Sequence, residues 1–75
     1  QLDPEISLGY LNRALAYASL RMFSRAFQDY GKAIDQDSDD ADAYYGRGNA
    51  LDNLGLIAQA KTDYERACSL DNRFC

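Results

Sequence analysis

The groups in this chain best equipped for chemistry are carboxylates, a few amides and two thiols; no His occurs among its 75 residues. The densest acidic run is Asp35-Gln36-Asp37-Ser38-Asp39-Asp40, which imitates the opening of a calcium loop. Such a loop needs Gly at its sixth position and Glu at its twelfth, where Asp40 and Gly46 stand. The run is therefore expected to act as a solvated turn whose carboxylates cap the next helix. Cys68 and Cys75 form no CxxC pair, and without His they make no zinc site. A disulfide between them is conceivable, but the expectation is a small buried Cys68 and an unengaged thiol at Cys75. No Ser or Cys sits in a nucleophile motif, and no glycine-rich phosphate loop occurs. Asp29 and Asp63 recur, but as repeated helical carboxylates they should face solvent or pair with a nearby Arg, too far apart for shared acid–base work. The chain is thus expected to have no catalytic residue, no cofactor and no metal.

Composition bounds what must position these groups. Hydrophobic residues at 47% and charged residues at 27% describe a folding chain, not a disordered one. A chain this short buries only roughly 60% of its unfolded surface, so its stability should be marginal. The net charge of -4, with the basic residues scattered, argues against nucleic acid as a partner. No stretch approaches the roughly 20 apolar residues of a membrane span, and no leader is evident. Because the first residue is Gln1, an excerpt of a longer protein or a processed product is expected; compartment is not legible, with the cytoplasm as default.

An internal repeat organises the chain. A shift of 34 residues places Tyr10 on Tyr44, Arg13 on Arg47, Ala16 on Ala50 and Leu20 on Leu54. The same shift pairs Ala26 with Ala60, Asp29 with Asp63, Tyr30 with Tyr64, Ala33 with Ala67 and Asp37 with Asp71. A period of this length is the signature of a solenoid. Within each unit the apolar residues follow a three-and-four spacing twice. Tyr10, Ala14, Tyr17 and Leu20 form the first rhythm, and Phe23, Ala26, Phe27, Tyr30, Ala33 and Ile34 the second. The other unit repeats it with Tyr44, Gly48, Leu51 and Leu54, then Ile57, Ala60, Tyr64, Ala67 and Cys68. Small residues at 14, 26, 48 and 60 mark close helix approach. Ser24 is expected to N-cap a helix and Gly55 to end one. These signals predict helices over 5–20, 24–36, 41–54 and 58–70.

The order of residues resembles the tetratricopeptide repeat: Tyr10, Ala14, Tyr17, Ala26, Tyr30 and Ala33, then Tyr44, Gly48, Leu51, Ala60, Tyr64 and Ala67. The family's closing Pro is present at Pro4 but replaced by Ser38 and Asn72. The resemblance implies an all-α fold of antiparallel helix pairs stacked as a right-handed superhelix. It divides the chain into the tail of a preceding repeat (1–6) and two repeats (7–40 and 41–74). Two units are fewer than the roughly three such stacks need, so an isolated fragment should expose an apolar end and be marginal or self-associating.

By the same resemblance the first helix of each unit lines a concave groove that seats a protein or peptide segment. The groove positions are then Leu8, Leu11, Asn12, Leu15 and Ser19, followed by Asp42, Tyr45, Gly46, Asn49, Asp52 and Asn53. Leu11 and Leu15 are either partner contacts or surface covered by a further helix; Asn12 and Asn49 either grip a peptide backbone or are solvated. The acid at Asp42 and Asp52 favours a basic or neutral partner with apolar anchors. Asn12-Arg13-Ala14-Leu15-Ala16-Tyr17 also resembles the dicarboxylate clamp of heat-shock co-chaperones. Asp42 and Gly46 stand where that clamp needs basic residues, so a carboxylate ligand is disfavoured. The expected role is a scaffold or adaptor. The alternatives are a structural, self-assembling segment acting through its array ends, or a non-catalytic module of a larger enzyme.

Overall fold

The computed structural model describes residues 4–75, with side chains from Leu8 onward. Four helices follow in order: α1 (Pro4–Ser19), α2 (Phe23–Gln36), α3 (Ala41–Asn53) and α4 (Ile57–Leu70), with a short 3-10 turn at Asn72–Phe74. No strand occurs among the described residues. Of the segment expected to close a preceding unit, residues 1–3 lie outside the described residues. Pro4 opens α1, where its missing N–H would have had no helical partner.

Each unit is a helix pair, α1 on α2 and α3 on α4, and the units join through α2 against α3. The core is built mainly from alanine: Ala14, Ala26, Ala33, Ala43, Ala50, Ala60 and Ala67 are all buried, together with Tyr30 and Leu51. Methyl-sized side chains let helix backbones approach closely, and the few large residues fill what remains. Tyr30 lies between the two units; a Cβ on Gly46 would come within 2.7 Å of its hydroxyl and closer to its ring.

The turns explain two boundaries. At the end of α3, Gly55 takes a left-handed φ of 84°. Its N–H donates to Asp52 O, and that of Leu56 donates to Leu51 O, a Schellman closure. The end of α1 is closed identically, Arg21 N–H to Ala18 O and Met22 N–H to Tyr17 O. There the left-handed residue is Arg21, with φ 61°, one period before Gly55. A Cβ in that region is unfavourable by about 1–2 kcal/mol. Arg21→Gly should therefore raise stability by roughly 0.5–1 kcal/mol after the added freedom of the unfolded chain is subtracted. Urea melts will check this; a midpoint below that of the parent contradicts it.

Ser24 does not cap α2. The chain leaves the Schellman turn directly into the helix, so Met22 is the N-cap, without a side-chain bond, and Ser24 falls inside the first turn. Four residues expected on core-facing rhythms are exposed instead: Leu20, Phe27, Leu54 and Ile57. Leu20 and Leu54 lie just past helix ends, where the helical period no longer decides which way a side chain points. Cys68 and Cys75 are joined in a disulfide, which corrects the expectation of a buried Cys68 and an unengaged Cys75. The link fastens the 3-10 turn to the last turns of α4.

Candidate interaction surface

Each unit is clamped by the same ion pair. Arg13 donates to Asp29 from Nε at 2.6 Å and Nη2 at 3.0 Å; Arg47 donates to Asp63 at 2.8 and 2.9 Å. Both carboxylates are buried, so Asp29 and Asp63 do not face solvent. Two parallel bonds fix the angle between paired helices as well as their separation. The hydrogen bond from Arg13 holds the Asp29 carboxyl below its ordinary range, against the opposing pull of burial.

The acidic run between the units is put to local use. Asp40 N-caps α3 by accepting from Ala43 N–H at 3.2 Å, and Asp37 accepts from Asp39 N–H at 3.1 Å. Burial raises the Asp40 carboxyl above its usual value. The two acids therefore oppose one another in pH dependence. Asp29 titrates below its unfolded value of about 3.9, so its stabilisation is complete above that pH and is lost as pH falls through the folded value. Charging Asp40 costs stability at neutral pH, and acid relieves that cost. Melting temperatures should thus hold, or rise slightly, down to about pH 4 and fall below it. Asp29→Asn should flatten the acid limb; an unchanged limb in that variant would refute the assignment.

A cleft of about 490 Å³ opens at the end of the molecule that carries this run. Leu8 and Leu11 of α1 and Leu70 of α4 give it apolar walls. Asp37, Asp39, Asp40, Asp42 and Asp71 give it an acidic rim. Asp71 is already paired with Arg73 at 2.6 Å and Asp40 with its cap; Asp37, Asp39 and Asp42 remain exposed, Asp37 with a bond from the Asp39 N–H and Asp39 and Asp42 facing solvent.

Three of the predicted groove residues, Leu8, Leu11 and Asp42, share this cleft. Leu8 is 54% exposed and Leu15 49%, while Leu11 packs partly against the core. Asn12 is exposed on α1 but does not line the cleft. Elsewhere the predicted set is engaged internally. The Tyr64 hydroxyl of α4 stands 2.7 Å from both Asn49 Oδ1 and Asp52 Oδ2. A phenol has one proton, and the charged carboxylate is the stronger acceptor. Burial and that carboxylate together raise the Tyr64 hydroxyl well above its usual value. Tyr45 stacks on Phe74 at 4.8 Å and meets Tyr64 at 5.5 Å. Gly46 is buried under Tyr30, so it is no groove residue, and a basic clamp side chain there would have no room.

Tyr64, Phe74, Leu70 and Asp71 were not singled out as surface residues by the sequence. One signal pointed to the last of these: Asp37 and Asp71 are one period apart, and both line the cleft. Among the described residues no group of three or more His, Cys, Asp or Glu is placed to hold a metal ion. No helix among them is long and apolar enough to cross a membrane.

Comparison with known proteins gives consistent matches. A family model described as TPR repeat matches residues 23–55, and one described as Tetratricopeptide repeat matches residues 41–74. The chain is 38% identical over 64 residues to Protein unc-45 homolog B of Mus musculus, covering 85% of this chain and 7% of that protein. The same figures hold for Protein unc-45 homolog B of Homo sapiens: 38% over 64 residues, 85% and 7%. Protein bimA of Emericella nidulans is 27% identical over 71 residues, covering 95% of this chain and 9% of that protein. The chain thus spans less than a tenth of these relatives' length. No solved structure matches.

Proposed function

Because the chain belongs to the tetratricopeptide repeat family, we propose that it works as a non-catalytic protein-interaction segment, seating part of a protein partner in the cleft between α1 and the start of α3. The observation that carries this reading is the cleft's mixed chemistry: Leu8, Leu11 and Leu70 beside the exposed acids Asp39 and Asp42. The fitting occupant is an extended or helical segment with apolar anchors, carrying Lys or Arg toward the acidic rim. Asn12 and Leu15 extend the same face of α1 and would meet the rest of such a segment. Asp52 and Tyr45 would act less as direct contacts than as a braced wall, held by Tyr64 and Phe74, with Asn49 exposed beside them.

The test uses a fluorescein-labelled peptide alternating Leu with Lys, beside the same peptide with Glu for Lys. The Lys peptide should bind at least about tenfold tighter, a difference of about 1.4 kcal/mol. Its affinity should fall with added salt and fall again in Asp39→Lys/Asp42→Lys. Equal affinity for both peptides, or salt-independent binding of the Lys peptide, would remove the acidic cleft from the account.

A further inference from the structure

The end of the molecule opposite the acidic cleft carries the two turns that join paired helices. It is apolar to a degree that no core requirement explains. Leu20 is 69% exposed and Ile57 60%, with Met22, Leu54 and Leu56 also exposed. These residues come from both units: Leu20 and Met22 lie one period before Leu54 and Leu56. Between the turns runs a groove of about 360 Å³, lined by Met22, Phe23 and Leu54 together with Arg21 and Arg25. The two cations are held over rings, Arg21 at 5.3 Å from the Phe23 centroid and Arg25 at 5.9 Å from that of Tyr17. Among the described residues neither takes part in an ion pair, whereas Arg13, Arg47 and Arg73 each do.

The molecule therefore has a basic, apolar end and an acidic, apolar end. We propose that a second copy of this chain docks its Arg21/Arg25 end into the Asp39/Asp42 cleft of the first, giving head-to-tail self-association. The inference rests on the reading of the cleft as a seat for basic segments with apolar anchors, and it names this chain's own turn edge as one of them. The two ends are complementary. Leu20, Met22 and Leu54 supply anchors for the Leu8 and Leu11 walls, and the guanidinium groups of Arg21 and Arg25 meet the carboxylates of Asp39 and Asp42. The surfaces differ, so the contact is heterologous and adds copies in a row without closing on a dimer.

Sedimentation velocity across a concentration series tests this at about 0.02 M and about 0.5 M salt, where the Debye length shrinks from about 20 Å to about 4 Å. Association is expected at low salt and at least tenfold weaker at high salt. Arg21→Glu/Arg25→Glu and Asp39→Lys/Asp42→Lys should each be monomeric, with helical circular dichroism intact. Mixed in equal amounts, the two variants should associate again, because each now offers the end the other lacks. That recovery also shows both variants to be folded. A parent chain monomeric at every concentration overturns the proposal. So does association indifferent to salt and to both variants, or failure of the mixture to associate. Binding of the Lys peptide by a chain that stays monomeric would sink this inference and leave the proposed function standing.

Discussion

Gly46→Ala is expected to destabilise the protein by about 2 kcal/mol or more, while the same change at Gly9 or Gly31 stabilises it by roughly 0.5–1 kcal/mol. All three glycines are inside helices, where alanine is the better former. Propensity alone would make every one of these substitutions favourable. At Gly9 a new Cβ meets nothing within 4 Å, and at Gly31 only Arg47 Nη1 at 4.0 Å, so propensity decides the sign. At Gly46 the Cβ would overlap the Tyr30 ring, which is only 2% exposed and has nowhere to swing. The contact joins α2 to α3, so relief would require the two repeats to separate. Gly48 makes the matching contact within a unit, where a Cβ would lie 2.7 Å from Tyr64 Cε1. Tyr64 is less buried than Tyr30, and Gly48→Ala should cost less. Chemical denaturation of the four variants measures the series; a Gly46→Ala midpoint at or above that of the parent contradicts this account of how the units join.

Arg47→Met is expected to cost about 3 kcal/mol, because it keeps the alkyl stem but leaves Asp63 buried and uncompensated. The guanidinium sits 5.9 Å from the Phe27 ring centroid of the preceding repeat and 5.7 Å from that of Tyr44 in its own, so the pair is covered from both. The Arg47 side chain is 26% exposed against 55% for Arg13. Water can replace more of what Arg13 supplies, and Arg13→Met should therefore be the milder change. Removing both charges, Arg47→Met with Asp63→Leu, should recover most of the loss, since two apolar groups leave no orphaned charge. Thermal melts of the single and double variants decide the matter. A double variant no better than Arg47→Met alone would show that the pair's bonds, and not the stranded carboxylate, set the cost.

These contrasts explain what the sequence made legible. Helix boundaries fell within about a residue of expectation because the apolar rhythm and its small residues are written twice, one period apart. The Gly55 turn was readable from a residue type with one conformational use. Its twin at Arg21 was not, since nothing about arginine announces a left-handed backbone; that hidden turn is also why Ser24 was misread as a cap. The cleft was half legible. The family resemblance names Leu8, Leu11 and Asp42 as groove positions, but Leu70 and Asp71 reach the same cleft from α4 and the turn after it, which a single helix face cannot reveal. Asn49 and Tyr45 are exposed on α3 and Asp52 is half-buried there. Their partners Tyr64 and Phe74 come from elements distant in sequence, and only the packed fold brings them together. Gly46 failed as a groove position for the same reason: its burial is decided by Tyr30 in the preceding unit.

The most direct measurement is an amide chemical-shift map of the isotopically labelled chain, kept dilute, titrated with the Leu–Lys peptide. The account predicts shifts concentrated at Leu8, Leu11, Ala41, Asp42 and Leu70, with little change at Lys61 and Glu65 on α4. Shifts centred on α4, or spread evenly over the surface, would contradict the claim that the cleft is the binding seat.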